Sequence, residues 1–426
     1  VDFGTRKHLG VEGTNLTIGG VDAIALAKRY GTPLYAIDEE RIRDNFRRFA
    51  AAFSEADVYY AAKANGSLAV LRILAQEGAG ADVFSDGELY LALLAGMQPE
   101  RILFNGNSKT DHELEMACAS GVKVSIDSTD ELRTLSEIAS NRGTEVDIAF
   151  RVNPDVSPAT HPKIATGLAK SKFGIPHNAV VSCYQEALSL EGVRPAGIHC
   201  HIGSQIVELS PFSEMMTKMM DLVEALKNEL DLNLDFVDIG SGLGIPYEGT
   251  APTPEDLADT VLPIFHQRAK ELEIRSKLIL EPGRYVVGDA AILLCGVNTV
   301  KKAHYNFVGI DAGFNLLIRP AMYDSYHEVL IANKLDIEPE TIYTIAGPIC
   351  ESGDILARNR SLPKVEKGDV IAILDVGAYG FAMSSQYNGR VRASEVLVKA
   401  GTPSLIRRRE SYSDLLNGQT LPSRLL

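Results

Sequence analysis

The run "VYYAAKAN" (58–65), followed by "GADVFSD" (80–86) and "DGELYLALLAG" (86–96), decides how the chain is read. Tyr59, Tyr60, Ala61 and Ala62 read as sheet interior, and the second run reads as another strand. The third has the spacing of an amphipathic helix. The alternation continues through "ILFNG" (102–106), "KVSIDS" (123–128), "DIAFRVNP" (147–154), "AGIHCHIGS" (196–204), "FVDIGSG" (236–242) and "SKLILEPGR" (276–284). Helical spacing is plain in "SEMMTKMMDLVEALKNEL" (213–230), apolar at 215, 216, 219, 220, 222, 223 and 226. Eight strand–helix alternations predict a (β/α)8 barrel, with a doubly wound open sheet as the alternative.

After about residue 285 the texture changes. "YTIAGPICESGDILA" (343–357), "GDVIAILDVGAYGF" (368–381) and "RASEVLV" (392–398) are short β-rich runs with little helix between them. "TNLTIGG" (14–20) adds a candidate strand from the other end of the chain. The expected class is therefore α/β. A barrel over 34–285 is inserted into an all-β domain, a sandwich or barrel-like fold made of 1–33 and 286–426.

The bulk numbers narrow the function. The chain has 426 residues, 45% hydrophobic and 23% charged, which is ordinary globular composition. A net charge of −14 argues against a nucleic-acid partner, which wants a basic face. No apolar run reaches the roughly 18 residues of a membrane span. The start, "VDFGTRKHLG", lacks the pattern of a signal peptide. Five scattered cysteines (118, 183, 200, 295 and 350) form no C-x-x-C pair, so a reducing cytoplasm is expected.

Polar residues collect at the ends of the strand candidates: Lys63 and Asn65, Asp82 to Asp86, Asn105, Asp127, Arg151 and Asn153, His199 to Ser204, Asp238 to Gly244, and Glu281 to Arg284. Barrel active sites sit at those ends, so one shared mouth is expected. Lys63, at a dry strand end, reads as a Schiff-base nucleophile or as an edge lysine that snorkels to water. Gly240, Gly242 and Gly244 let backbone N–H groups approach a phosphate, or make a tight structural turn. Arg284 suits the same phosphate. Glu281 is either a structural partner of Arg284 or the partner of a protonated pyridine nitrogen, which makes pyridoxal phosphate (PLP) an electron sink. His199 and His201, two apart on a strand, are expected to face one way. They read as metal ligands with Asp238, Asp82 or Asp127, or as a ring stacked on a cofactor with Ser204 at its phosphate. Cys200 reads as core.

Taken together, Lys63 in "YYAAKAN", "HCHIGSQ" (199–205), "DIGSGLG" (238–244), "EPGRYVV" (281–287), "GPICESGD" (347–354) and "GAYGFAMSSQYNGR" (377–390) resemble the fold-type III PLP-dependent decarboxylases. The likeness runs from "GTPLYAID" (31–38) to "RRRESYSDLL" (407–416). "HPKIATGLAKSKFGI" (161–175) and "CESGD" (350–354) resemble the branch that acts on meso-diaminopimelate rather than ornithine. The resemblance implies that Lys63 bonds PLP, His201 stacks on its ring and Glu281 pairs with its nitrogen. It implies a phosphate site from Ser204, Gly242, Gly283, Arg284 and Tyr379, with Asp82 and Glu88 near the lysine. Arg284, Arg319, Tyr323 and Tyr379 would meet substrate carboxylates, and Glu351 the distal ammonium. Cys350 would donate the proton, although a free cysteine is more often a small buried hydrophobe. Cys350 and Glu351 would come from a second subunit of a homodimer with shared sites.

The implied reaction is decarboxylation of meso-2,6-diaminopimelate to L-lysine and CO2, the last step of lysine biosynthesis. D-lysine or D-ornithine is the alternative substrate. Barrel-type PLP racemases place an arginine against the ring nitrogen, so Glu281 favours decarboxylation. Departures are mild: Lys163 stands where an aromatic is frequent, and "SSQYNG" (384–389) is a loose version of its motif. Against the family reading stand a metal-dependent barrel hydrolase and a non-catalytic homologue.

Overall fold

The computed structural model describes residues 3–158, 161, 166 and 171–425. The chain divides into two compact units, Arg43–Val286 and a second made of Val1–Ile42 with Val287–Leu426. In the first unit, eight strands pair in parallel in chain order. They are β1 (Asp57–Ala61), β2 (Gly80–Val83), β3 (Ile102–Phe104), β4 (Lys123–Ile126), β5 (Val146–Asn153), β6 (Val193–His199), β7 (Phe236–Asp238) and β8 (Lys277–Leu280). β8 pairs back onto β1, through Ile279 with Asp57 and Leu280 with Val58. The ring is closed, so the fold is the (β/α)8 barrel and not the open sheet.

The barrel is filled by side chains from alternate positions. Tyr59, Leu103, Ala149, Ala196, Phe236 and Ile279 pack into one buried cluster. The two rings need room: a Cβ at Gly80 would lie 2.4 Å from the Tyr59 ring, and one at Gly197 would lie 2.3 Å from Phe236. Each strand starts within three residues of its expected start; β1, β3, β4 and β8 stop before their polar tails, β2, β6 and β7 stop inside theirs, and β5 runs through Arg151 to Asn153. β1 ends at Ala61, and Lys63 sits on the 3-10 turn Ala62–Ala64 that follows. β6 ends at His199 and β7 at Asp238. The tails thus lie in the last strand residues and the loops that follow them, at the strand C-termini where this fold places its chemistry.

Short polar caps then start the helices. Ser85 Oγ accepts from Glu88 N at 3.2 Å, and Ser128 Oγ accepts from Glu131 N at 3.2 Å. Thr110 and Glu113 form a reciprocal capping box. The helix Ser210–Leu230 buries Met215, Met216, Met219, Met220, Val223 and Leu226, the face expected from spacing, while Leu222 is half-buried.

In the second unit, strands run Ile355–Leu362, Thr341–Ala346, Asn306–Ile310, Ala291–Lys302, Leu34–Asp38, Ser394–Lys399 and Thr402–Arg407 across one sheet. Val370–Ile373 also pairs with Ala291–Lys302. Asn15–Ile18, from the "TNLTIGG" run, lies in a separate small sheet, and its Leu16 and Ile18 join the core of Leu34, Ala36, Ile292 and Val396. The all-β domain thus takes in the N-terminal segment. Leu34–Asp38, inside the 34–285 range expected for the barrel, pairs with Ala291–Lys302 and Ser394–Lys399 of the second unit. All five of its residues are buried, which is equally the mark of a barrel strand and of a central strand in a covered sheet. Among the described residues, no helix is long and apolar enough to cross a membrane.

Candidate active site

The loops after the barrel strands bring a row of charged and polar groups together. Lys63 Nζ donates to Asp82 Oδ2 and lies 5.3 Å over the Phe84 ring. Asn105 Nδ2 donates both to Asp82 Oδ1, at 2.6 Å, and to Glu281 Oε1, at 2.7 Å. Glu281 Oε2 stands 3.5 Å from His199 Nε2. His199 Nδ1 meets Ser125 Oγ at 2.8 Å. Asp82, Asn105, Ser125, His199 and Glu281 are buried, while the Lys63 side chain keeps 30% of its surface exposed. The ammonium of Lys63 is thus held by a buried carboxylate rather than simply reaching for water.

The carboxyls in this row are pushed apart. Burial raises Asp82, and neighbouring Glu281 adds to it, against Lys63 and Asn105. Burial, then Glu281, raises Asp238 well above the ordinary carboxylate value. Glu281 moves the other way: burial disfavours its charge, but His199, then Lys63 and His201, hold it well below the usual carboxylate range. Glu281 is therefore the charged member of its pair with Asp238, an arrangement that separates acid from base. Asp238 Oδ1 accepts from Gly240 N at 2.8 Å, and its Oδ2 has no hydrogen-bond partner among the described residues.

The strand does not reach the second histidine. β6 ends at His199, which turns to Ser125, and His201 lies beyond the strand. Ligand atoms of His199, Asp238 and Glu281 lie within 4.8 Å of one another, and His201 is not in that group. Burial first, then Lys63 and Arg151, lower His201 well below the ordinary histidine value, so its ring is neutral. Its Nδ1 has no hydrogen-bond partner among the described residues. Cys200 is fully buried, as expected for core.

Beside His201 the glycine loop forms a cradle. Gly240 and Gly242 have φ of +62° and +90°. A Cβ at Gly242 would lie 2.1 Å from Gly203 O, and one at Gly240 would lie 2.5 Å from His201 Nδ1. At Gly283 a Cβ would crowd Ala61 and Ala64, both at 3.1 Å. Glu281 N donates to Gly240 O at 2.7 Å and ties the last two loops together. Arg284 donates to Ser204 Oγ at 3.0 Å and to Tyr247 OH at 2.9 Å. The carboxylate of Glu281 goes to Asn105 and His199, so the pair with Arg284 is not what holds it. Glu88 Oε2 accepts from Phe84 N at 2.7 Å and closes the loop after β2.

The remaining candidates belong to the second unit. Cys350 is exposed, so it is not a buried hydrophobe. Asn388 Nδ2 donates to its sulfur at 3.2 Å, and Tyr387 OH lies 3.7 Å away. Those two contacts, Asn388 first, pull the thiol below its ordinary value. Tyr387 OH donates to Glu351 Oε1 at 2.9 Å, which joins Glu351 to the same cluster. Arg319 is buried, and its Nη1 lies 2.7 Å from His327 Nε2. Tyr323 ends the short helix Arg319–Tyr323. Tyr379 has a left-handed backbone, φ +56°, which a tyrosine adopts only where its surroundings enforce it. Lys163 lies outside the described residues. Ser125, Tyr247 and His327 carry no expectation from the sequence, and Tyr387 and Asn388 enter it only within the "SSQYNG" motif, with no role assigned. A lone serine inside the apolar "KVSI" was the available signal for the first.

These groups fit PLP: an amine at Lys63, a charged carboxylate at Glu281, a neutral flat ring at His201, and a cradle with Ser204 and Arg284 where no Cβ fits. Residues 39–288 match the family described as pyridoxal-dependent decarboxylase, pyridoxal binding domain. The chain is 57% identical over 412 residues to diaminopimelate decarboxylase of Archaeoglobus fulgidus, covering 96% of this chain and 98% of that protein. It is 47% identical to the protein of that name from Methanothermobacter thermautotrophicus, over 97% of each. The crystal structure of diaminopimelate decarboxylase from M. jannaschii in co-complex with L-lysine matches with a TM-score of 0.94 and 43% identity, over 99% of both chains. The chain belongs to the pyridoxal-dependent decarboxylase family, and PLP is its cofactor. Membership sets aside the metal-dependent hydrolase.

Proposed function

We propose that the chain converts meso-2,6-diaminopimelate to L-lysine and CO2. The observation that carries this reading is the row Lys63–Asp82–Asn105–Glu281, set at the strand ends of a chain 57% and 47% identical over nearly its whole length to two diaminopimelate decarboxylases. When bound, PLP supplies an electron-accepting ring that takes up the charge left at Cα as CO2 departs. Lys63 is the amine that would anchor it, steadied by Asp82. The Glu281 carboxylate would keep a proton on the ring nitrogen, and the neutral His201 would bear on the ring. Ser204, Gly242, Gly283, Arg284 and Tyr379 would hold the phosphate.

Substrate choice follows from charge. Arg284, Arg319, Tyr323 and Tyr379 take the carboxylates, where a guanidinium gives paired bonds. Glu351 takes the distal ammonium, and Cys350 returns a proton to Cα. We assign Cys350 and Glu351 to the neighbouring copy in a homodimer with shared sites, a reading their exposure supports. Five cysteines that are all free thiols support a cytoplasmic setting.

The test is to incubate the protein with PLP and meso-diaminopimelate and follow lysine and CO2 by mass spectrometry. Equimolar release is expected. Release from D-lysine or D-ornithine, with none from meso-diaminopimelate, would overturn the substrate assignment and leave the reaction class.

A further inference from the structure

Ser125 lies between Val124 and Ile126 in β4 and is 1% exposed. Its carbonyl is already engaged, accepting from Lys109 Nζ at 2.7 Å. Lys109 also donates to Gly106 O and to Glu131 Oε1, so the end of β4 is pinned by a buried ion pair. The Ser125 hydroxyl points to His199 Nδ1 at 2.8 Å. A buried hydroxyl has a proton to donate, and this nitrogen is the acceptor within reach. When Nδ1 accepts, the ring proton of a neutral imidazole must sit on Nε2. His199 Nε2 is the atom that faces Glu281 Oε2, and it has no hydrogen-bond partner among the described residues.

At 3.5 Å this contact is longer than a full hydrogen bond, so the direction of the ring dipole decides its sign. With the proton on Nε2 it attracts the carboxylate. With the proton on Nδ1, a bare lone pair would face a buried negative charge. A doubly protonated ring also presents Nε2–H, so every favourable state of the pair has a proton on that nitrogen.

We propose that Ser125 is a positioning residue: its hydroxyl fixes the tautomer of His199, so that Nε2–H faces Glu281 and holds its carboxylate in place for the cofactor's ring nitrogen. The inference rests on the reading, given above, in which Glu281 meets that nitrogen. Glu281 is then gripped at both oxygens, by Asn105 at Oε1 and by His199 at Oε2. One oxygen atom on β4 thereby governs a charge two groups away.

The test uses protein loaded with PLP labelled with 15N in its ring, whose nitrogen chemical shift reports protonation directly. Four variants are compared with wild type: Glu281→Gln as the reference, Ser125→Ala, His199→Leu and His199→Gln. Glu281→Gln moves the signal toward the unprotonated value. Ser125→Ala moves it part of the way in the same direction. It also lowers kcat about tenfold with KM within about twofold, the upper end of what one hydrogen bond contributes. His199→Leu does the same or more. His199→Gln, whose amide N–H reaches toward the former Nε2 position, recovers most of what His199→Leu loses.

Should Glu281→Gln move the signal while Ser125→Ala and His199→Leu leave both signal and kcat unchanged, Ser125 is packing only and the inference is overturned. The proposed function would stand in that case. Should Glu281→Gln itself leave the signal unmoved, the placement of Glu281 fails, and the inference falls with it. His199→Leu removes a buried polar ring and risks misfolding. Ser125→Ala deletes a single oxygen and decides the matter alone.

Discussion

In the barrel unit, Asp82, Asn105, His199 and Glu281 are buried, and each is held by a group from another strand end. In the second unit, Cys350, Glu351, Tyr387 and Asn388 form a bonded cluster on an exposed surface. The first arrangement is rigid for an electrostatic reason. Moving one member leaves a buried charge without its partner, which is strongly destabilising. The second depends on two contacts to sulfur in a setting where water screens charge. Chemistry in the barrel is set by the scaffold as a whole, and chemistry on the loop by two side chains. Substitutions can break or sharpen that contrast.

The largest effect belongs to Lys63→Ala. It removes the anchoring amine and strips Asp82 of the cation that opposes its burial. Activity should fall by about a thousandfold or more, the scale of losing a reacting group. Borohydride should then fix no pyridoxyl group on the protein. Activity within tenfold of wild type, or pyridoxyl label retained elsewhere, would break the contrast at its root, because the buried row would not be organised around Lys63.

The sequence makes some of this row legible and hides the rest for definite reasons. The strand starts are visible because each is an apolar run that must be covered on both faces of a parallel sheet. The strand ends are not, because "AKAN" or "HCHIGS" carries no local mark of where pairing stops. That is why His199 and His201 look like one face of one strand. "LYAID" (34–38) falls in the range expected for the barrel because a central strand of the other unit has the same burial. Lys63 and Glu281 stand out as charges beside apolar runs. Ser125 does not, since a serine in a strand is unremarkable until its partner is known. The contacts of Cys350 with Tyr387 and Asn388 span 37 and 38 residues, and only the folded unit brings them together.

A middle-sized effect is expected on the exposed cluster. Asn388, then Tyr387, hold the Cys350 thiol below its ordinary value, so it loses its proton at lower pH than a free cysteine. As the proton donor, Cys350 would make kcat fall on the alkaline side as the thiol ionises. Asn388→Ala removes the stronger contact, lets the thiol rise, and moves that alkaline limb to higher pH. The difference between the two proteins is expected on the alkaline side, where the thiol ionises. A full pH profile of kcat checks this. A limb that stays where it is in Asn388→Ala belongs to some other group, and the loop chemistry would then not be governed by its neighbours.

The smallest effect tests whether the barrel row is as independent of its surroundings as the contrast requires. Thr110 starts the helix Asp111–Ser120, its Oγ1 accepting from Glu113 N at 3.2 Å while Glu113 Oε2 accepts from Thr110 N at 2.8 Å. Thr110→Ala removes half of this box, which costs about 1 kcal/mol. For a unit of this size that lowers Tm by about 2–4 °C. Yet Thr110 directly follows Lys109, whose ammonium is gripped by Gly106 O at 2.7 Å, Ser125 O at 2.7 Å and Glu131 Oε1 at 2.6 Å. Those three bonds, not the cap, hold the end of β4 and with it Ser125. The expected result is a lower Tm by thermal unfolding with kcat and KM unchanged. A fall in kcat beyond about twofold would mean that a helix cap reaches the buried row through Lys109, and that the barrel site is tuned by local contacts just as the exposed cluster is.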